Sequence, residues 1–124
     1  MSTPKLLNWF EIPTNNLEKA AAFYREIFGL DLEMVEVDNK RFAVFPTQIS
    51  QTGGAVVQAE GYVPSENGIQ IFFEATGTMD EILSRIEPAG GKIVVEKYRV
   101  NEEIGDVASF KDLDGNKIGL HSQL

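Results

Sequence analysis

LLNWFEIPTNNLEKAAAFYREIFG, residues 6–29, decides how this chain folds. Residues 6–13 are mostly apolar and end at Pro13, which has no N–H to give to a ladder, so they read as a strand. Asn15 and Asn16 are both helix-capping types, and Glu18 follows Asn15 at capping-box spacing. Leu17, Ala20, Ala21, Tyr24 and Phe28 then recur at helical spacing. Gly29 stands where a chain leaves a helix in the left-handed conformation.

Downstream, residues 30–37, 41–45 and 55–60 read as strands, with a turn at Asp38-Asn39-Lys40 and a polar loop over 48–53. The order is β-α-β-β-β. Residues 61–68, with Pro64 and Asn67, read as a linker, after which the order repeats. Residues 69–75 are a strand. Thr78 begins a helix with Glu81 in capping-box position and Met79, Ile82, Leu83 and Ile86 as its apolar stripe. Residues 92–98, 106–111 and 117–122 are three more strands, the last two joined by the hairpin signal Asp112-Leu113-Asp114-Gly115. Trp9-Phe10-Glu11 is echoed by Phe72-Phe73-Glu74, and Gly54 is matched with Gly115 as the residue before a closing strand. The expectation is one α+β domain over 1–124, made of βαβββ modules at 5–60 and 68–123.

With 124 residues, 43% of them hydrophobic, the chain can bury a core without staples, and it has no cysteine to make any. A net charge of -8 repels phosphate backbones, which argues against a nucleic-acid partner. No apolar run approaches the roughly 20 residues of a membrane span. Met1 to Lys5 lead into no signal-type apolar stretch, so a cytoplasmic protein is expected.

Alternation gives each strand an apolar face and a mixed one. Phe10 and Ile12 oppose Leu7, Trp9 and Glu11; Ile69, Ile71, Phe73 and Ala75 oppose Gln70, Phe72 and Glu74. Ile118 and Leu120 oppose Lys117, Gly119 and His121; Ala55, Val57 and Ala59 oppose Val56, Gln58 and Glu60. The mixed faces would gather Trp9, Glu11, Gln58, Glu60, Gln70, Phe72, Glu74 and His121 into an aromatic pocket with a few polar groups.

Three stretches are similar to a known family. These are Phe10 to Pro13 with Leu17 to Ala20, Phe23-Tyr24 and Ile27 to Leu30; Gly68 to Ala75; and Phe110-Lys111-Asp112-Leu113-Asp114-Gly115-Asn116. Together they resemble the glyoxalase / bleomycin-resistance (vicinal-oxygen-chelate) superfamily. The resemblance implies a cup-shaped mixed sheet, helices on its outer face, a ligand on its concave face, and in many members a divalent metal held by His, Gln or Glu. The positions that carry those ligands fall here on Trp9, near Gln58, on Gln70 and on Gly119. Indole only donates a proton and glycine has no side chain, so the expectation is no metal and no other cofactor. A shifted metal set from Glu11, Glu60 and His121 is the alternative.

The candidate ligand-binding residues are therefore Trp9, Glu11, Gln58, Gln70, Phe72, Gly119 and His121, with Gly119 expected to leave room for the ligand. Glu11 and His121 are the candidates for acid–base chemistry, since a histidine titrates near neutrality. Asp112-x-Asp114-Gly115 lacks the glycine and glutamate spacing of a calcium loop, and Gly53-Gly54 lacks the ending of a phosphate loop. The leading expectation is a metal-independent, homodimeric binder of a small organic molecule. The alternatives are a glyoxalase-like lyase, isomerase or dioxygenase with a displaced metal, and a module that works through protein contacts.

Overall fold

A computed structural model describes residues 6–48 and 51–124. Met1 to Lys5 and the middle of the expected 48–53 loop lie outside these residues. The first unit runs β1 (Trp9–Pro13), α1 (Leu17–Phe28), β2 (Glu33–Val37), β3 (Lys40–Val44) and β4 (Gly53–Gln58). The second runs β5 (Phe72–Glu74), α2 (Met79–Ile86), β6 (Lys92–Asn101), β7 (Gly105–Lys111) and β8 (Lys117–Ser122). Each unit forms its own four-stranded mixed sheet, ordered β1-β4-β3-β2 and β5-β8-β7-β6. The outer pairs β1/β4 and β5/β8 are parallel and the rest antiparallel, so this is an α+β fold of two βαβββ units.

Local chemistry accounts for the element ends. Asn16, rather than Asn15, caps α1: its side chain accepts from Lys19 N at 3.1 Å. Gly29 closes the helix at φ +66°, its N–H donating to Arg25 O. Asp38 and Asn39 both take positive φ in a two-residue hairpin loop between Val37 and Lys40, a geometry these two residue types tolerate. The expected capping box at α2 is not formed; Thr78 makes no side-chain cap bond. β5 covers only the end of the expected 69–75 strand, whereas β6 runs on to Asn101 through register shifts. β4 begins at Gly53, so Gly54 lies inside a strand while Gly115 lies in a turn, and the two are not equivalent.

One core serves both units. Leu17, Ala20, Ala21 and Tyr24 of the stripe read on α1 are buried, with Phe23 and Ile27 added to them and Phe28 only partly buried; on α2 Met79, Ile82 and Ile86 are buried and Leu83 partly so. Phe73 of the second unit meets Phe10, Phe28 and Phe45 of the first at ring distances of 5.5, 4.8 and 5.3 Å. Burying side chains of this kind contributes about 1.5–3 kcal/mol each.

The 112–116 turn is more than a hairpin connection. Asp112 Oδ1 accepts from the N–H groups of Asp114 (2.9 Å) and Asn116 (3.0 Å). Its Oδ2 accepts from Tyr24 OH of α1 at 2.7 Å. Asp114 accepts from Thr14 Oγ1 (2.6 Å) and Asn15 N (2.9 Å), and Asn116 Nδ2 donates to Pro13 O at 2.7 Å. The turn of the second unit thus clasps the β1–α1 junction of the first.

Candidate functional site

Register assigns the sheet faces. Phe10, Ile12, Ala43 and Val56 lie on the core face of the first sheet, with Ile12 paired to Val56 and Val56 to Ala43. The opposite, open face carries Trp9, Glu11, Phe42, Val44, Ala55 and Val57. This inverts the expected phase of β4. Ala55, Val56 and Val57 are all fully buried, so alternation carries no information there. Gln58 consequently lies on the helix side. Its Oε1 accepts from Leu17 N at 2.9 Å and its Nε2 donates to Asn15 O at 3.1 Å, so it supports the start of α1 instead of facing a ligand.

Trp9 and Glu11 do share the open face, and the structure adds a partner the sequence reading missed. Glu11 takes Trp9 Nε1–H on one oxygen (3.2 Å) and Tyr62 OH on the other (2.6 Å). Lys40 Nζ stands 3.5 Å from the same hydroxyl and 5.3 Å from the Tyr62 ring centre. The only signal for Tyr62 was an aromatic residue inside a polar linker. Trp9 and Glu11 head a groove of about 400 Å³ shared with Leu7, Val63, Ile69 and Lys117. An ionised carboxylate has about four acceptor sites, so Glu11 retains capacity for a ligand's donor beside the indole.

The second sheet's open face bears Phe72, Glu74, Ser109, Gly119 and His121; Phe72 pairs with Gly119 and Glu74 with His121. Gly119 does not leave the expected room. A Cβ there would stand 2.4 Å from Phe72 Cδ2, so the ring already occupies the space. Trp9 lies beside Gly53 less closely: a Cβ placed there would stand 3.2 Å from its ring and 3.1 Å from Thr47 Cγ2. Thr76 N–H donates to Glu74 at 2.8 Å, its hydroxyl donates as well, and these bonds hold the Glu74 carboxyl below the usual range. His121 Nε2 donates to Ile104 O at 2.6 Å, which leaves Nδ1 as its free ring nitrogen. Phe72, Glu74, Val107 and His121 line a shallow depression of about 370 Å³. Gln70, which lies before β5, lines a further groove with Leu7, Phe10 and Phe72.

The expected single pocket is therefore divided between the two sheets: Trp9 and Glu11 line one groove, Phe72, Glu74 and His121 another depression. The family's metal does not fit these residues. Trp9 has only a donor, Gln58 is turned to α1, Gly119 is covered by Phe72, and Gln70 is alone. Nor does the shifted set assemble, because Glu60 lines a groove with Arg41 and Gln58 beyond the end of β4. Among the described residues, no group of three His, Asp or Glu side chains converges. No helix there is long and apolar enough to cross a membrane.

Comparison with functionally curated proteins gives no significant sequence match. Solved structures do match. A glyoxalase/bleomycin resistance protein/dioxygenase domain from Frankia sp. EAN1pec is 16% identical, with a TM-score of 0.76 over 99% of this chain and 100% of that one. TnmS3, an antibiotic binding protein from Streptomyces sp. CB03234, is 24% identical, with a TM-score of 0.72 over the whole of both chains. Hypothetical protein SA1046 from S. aureus is also 24% identical, with a TM-score of 0.70 over 97% of this chain and 95% of that one. These likenesses show the fold. The sequence itself matches a family model over residues 6–120, nearly its full length, and the paired βαβββ units are the matching architecture: the chain belongs to the Glyoxalase/Bleomycin resistance protein/Dioxygenase superfamily.

Proposed function

We propose that this chain binds a small, mainly apolar organic molecule carrying a hydrogen-bond donor or a positive charge, in the groove headed by Trp9 and Glu11, without a metal. The observation that carries this reading is the Glu11 carboxylate, fixed against an indole by Trp9 and Tyr62 at the head of an apolar groove. A cation over an indole face gains about 0.5–1 kcal/mol when exposed, and more when desolvated. The antibiotic-binding structural neighbour points the same way. The reading includes a homodimer, since β6 is an edge strand on which Val94, Val95, Tyr98 and Val100 are all exposed.

Benzylamine is a fitting probe, because it joins a ring to a cation. Trp9 is the only tryptophan, so its fluorescence reports occupancy of the groove directly. Titration should shift that emission, and Glu11→Gln should weaken binding by about tenfold, the loss of one charge-assisted hydrogen bond. Unchanged affinity in Glu11→Gln and in Trp9→Ala, the latter measured by calorimetry, would place binding elsewhere. Elemental analysis of the purified protein is expected to find no stoichiometric zinc, nickel, manganese or iron.

A further inference from the structure

One buried side-chain polar atom among the described residues has no hydrogen-bond partner: Ser109 Oγ. Ser109 is 4% exposed and lies in β7 between Ala108 and Phe110, both in the core. Its own side chain is on the opposite, open face. There it stands in one row across the sheet with Phe72, Gly119 and Val95, Gly119 being the paired neighbour of both Phe72 and Ser109. Buried hydroxyls in native proteins nearly always have a partner, so an orphan one calls for a reason.

Phe72 supplies that reason. Its ring lies across Gly119, close enough that no side chain fits there, yet the residue is 54% exposed. A ring exposed to that degree turns outward without pulling apart a packed core. When it turns, the bare backbone of Gly119 becomes the floor of a notch with the Ser109 hydroxyl at its side. We propose that Phe72 is a rotatable cover over this notch, and that Ser109 Oγ recognises the hydroxyl or carbonyl of a neutral aromatic molecule whose ring takes the place of Phe72 over Gly119. A serine hydroxyl both donates and accepts, so a phenol and an aryl carbonyl both satisfy it. An anionic ligand is disfavoured, because the Glu74 carboxylate shares the face one pair further along.

The inference rests on the reading that the open faces receive small organic molecules, and it adds a second, separately testable subsite. The probes are p-cresol and toluene, which differ only by the hydroxyl, followed through backbone amide shifts. In the wild-type protein p-cresol should move the amides of Val107, Ser109, Gly119 and His121 and bind about tenfold tighter than toluene. Ser109→Ala should bring the two within about twofold, and Phe72→Ala should tighten p-cresol by removing the occupant. Ser109→Ala deletes a hydroxyl that has no partner, so it should melt no lower than the wild type, and a lost preference will not be unfolding. A p-cresol preference that survives Ser109→Ala overturns the proposal, as do silent amides in this row in both wild type and Phe72→Ala. Benzylamine shifts at Leu7, Trp9 and Glu11 with a silent Ser109 row would reject the cover and leave the groove standing; the reverse pattern would reject the groove alone.

Discussion

Two aromatic rings set against two glycines give the open faces their character. Trp9 lies beside Gly53 and Phe72 covers Gly119, each across a parallel strand pair, at equivalent places in the two units. A glycine in a strand interior usually weakens it; here a neighbouring ring supplies the missing packing. Gly119→Ala forces that ring aside, but the ring is 54% exposed and turns outward, so the fold should lose less than about 1 kcal/mol, below the usual cost of overpacking a closed core. Urea unfolding would show this as a midpoint close to that of wild type with an unchanged slope, and a loss of about 1–3 kcal/mol would mean that Phe72 is locked in place and is no cover. The faces of Trp9 and Glu11 are legible because alternation puts them opposite Phe10 and Ile12, and that of Phe72 because it opposes Ile71 and Phe73. The covering of Gly119 was not legible. A sequence shows that a side chain is missing, but not which neighbour fills the space.

At the level of elements, helix ends separate what pattern can say from what geometry decides. Both helices carry a capping-type residue and an acidic residue three positions further on in sequence, so both read as capping boxes. In α1 the cap is Asn16, and Glu18 instead pairs with Arg41 across to β3. In α2, Thr78 has a backbone ψ of 0° in place of the extended one of Asn16, and its side chain makes no cap bond. Asn16→Ala should therefore cost about 0.5–2 kcal/mol, while Thr78→Ala should cost almost nothing on this account. Thermal unfolding of the two variants side by side tests the contrast, and equal losses would refute it. β4 shows the same limit in a strand. Three buried apolar residues in succession fit either phase, and only the pairing of Ile12 with Val56 and of Val56 with Ala43 fixes which side Gln58 takes.

The whole molecule depends on what covers its sheet edges and on how its two units are joined to each other. The ten residues of β6, an edge strand with four exposed apolar side chains, call for cover. Sedimentation at micromolar concentration should give about twice the 13.8 kDa chain mass, and a monomer throughout that range would remove the dimer from the proposed function. Within the chain, the 112–116 turn looked like a simple hairpin because its long-range partners, Tyr24, Thr14 and Pro13, are distant in sequence. Its central carboxylate, Asp112, is buried, and burial raises its pKa while the bonds from Tyr24 and Asn116 oppose the rise. A carboxyl whose folded pKa exceeds its unfolded one binds more protons in the native state. Its contribution is full below the ordinary aspartate range and declines as pH rises through the folded value. Tyr24→Phe deletes a donor that favours the charged form, so the folded pKa climbs further and the decline steepens. The variant should be less stable than wild type by about 1–3 kcal/mol at neutral pH, the cost of a buried acceptor left short of a donor. That deficit should shrink as pH falls toward about 3, where a protonated Asp112 no longer needs the hydroxyl. Urea unfolding of both proteins at the two pH values measures it. A deficit of constant size would mean that Tyr24 acts by packing alone, and that the clasp between the units does not run through this hydrogen bond.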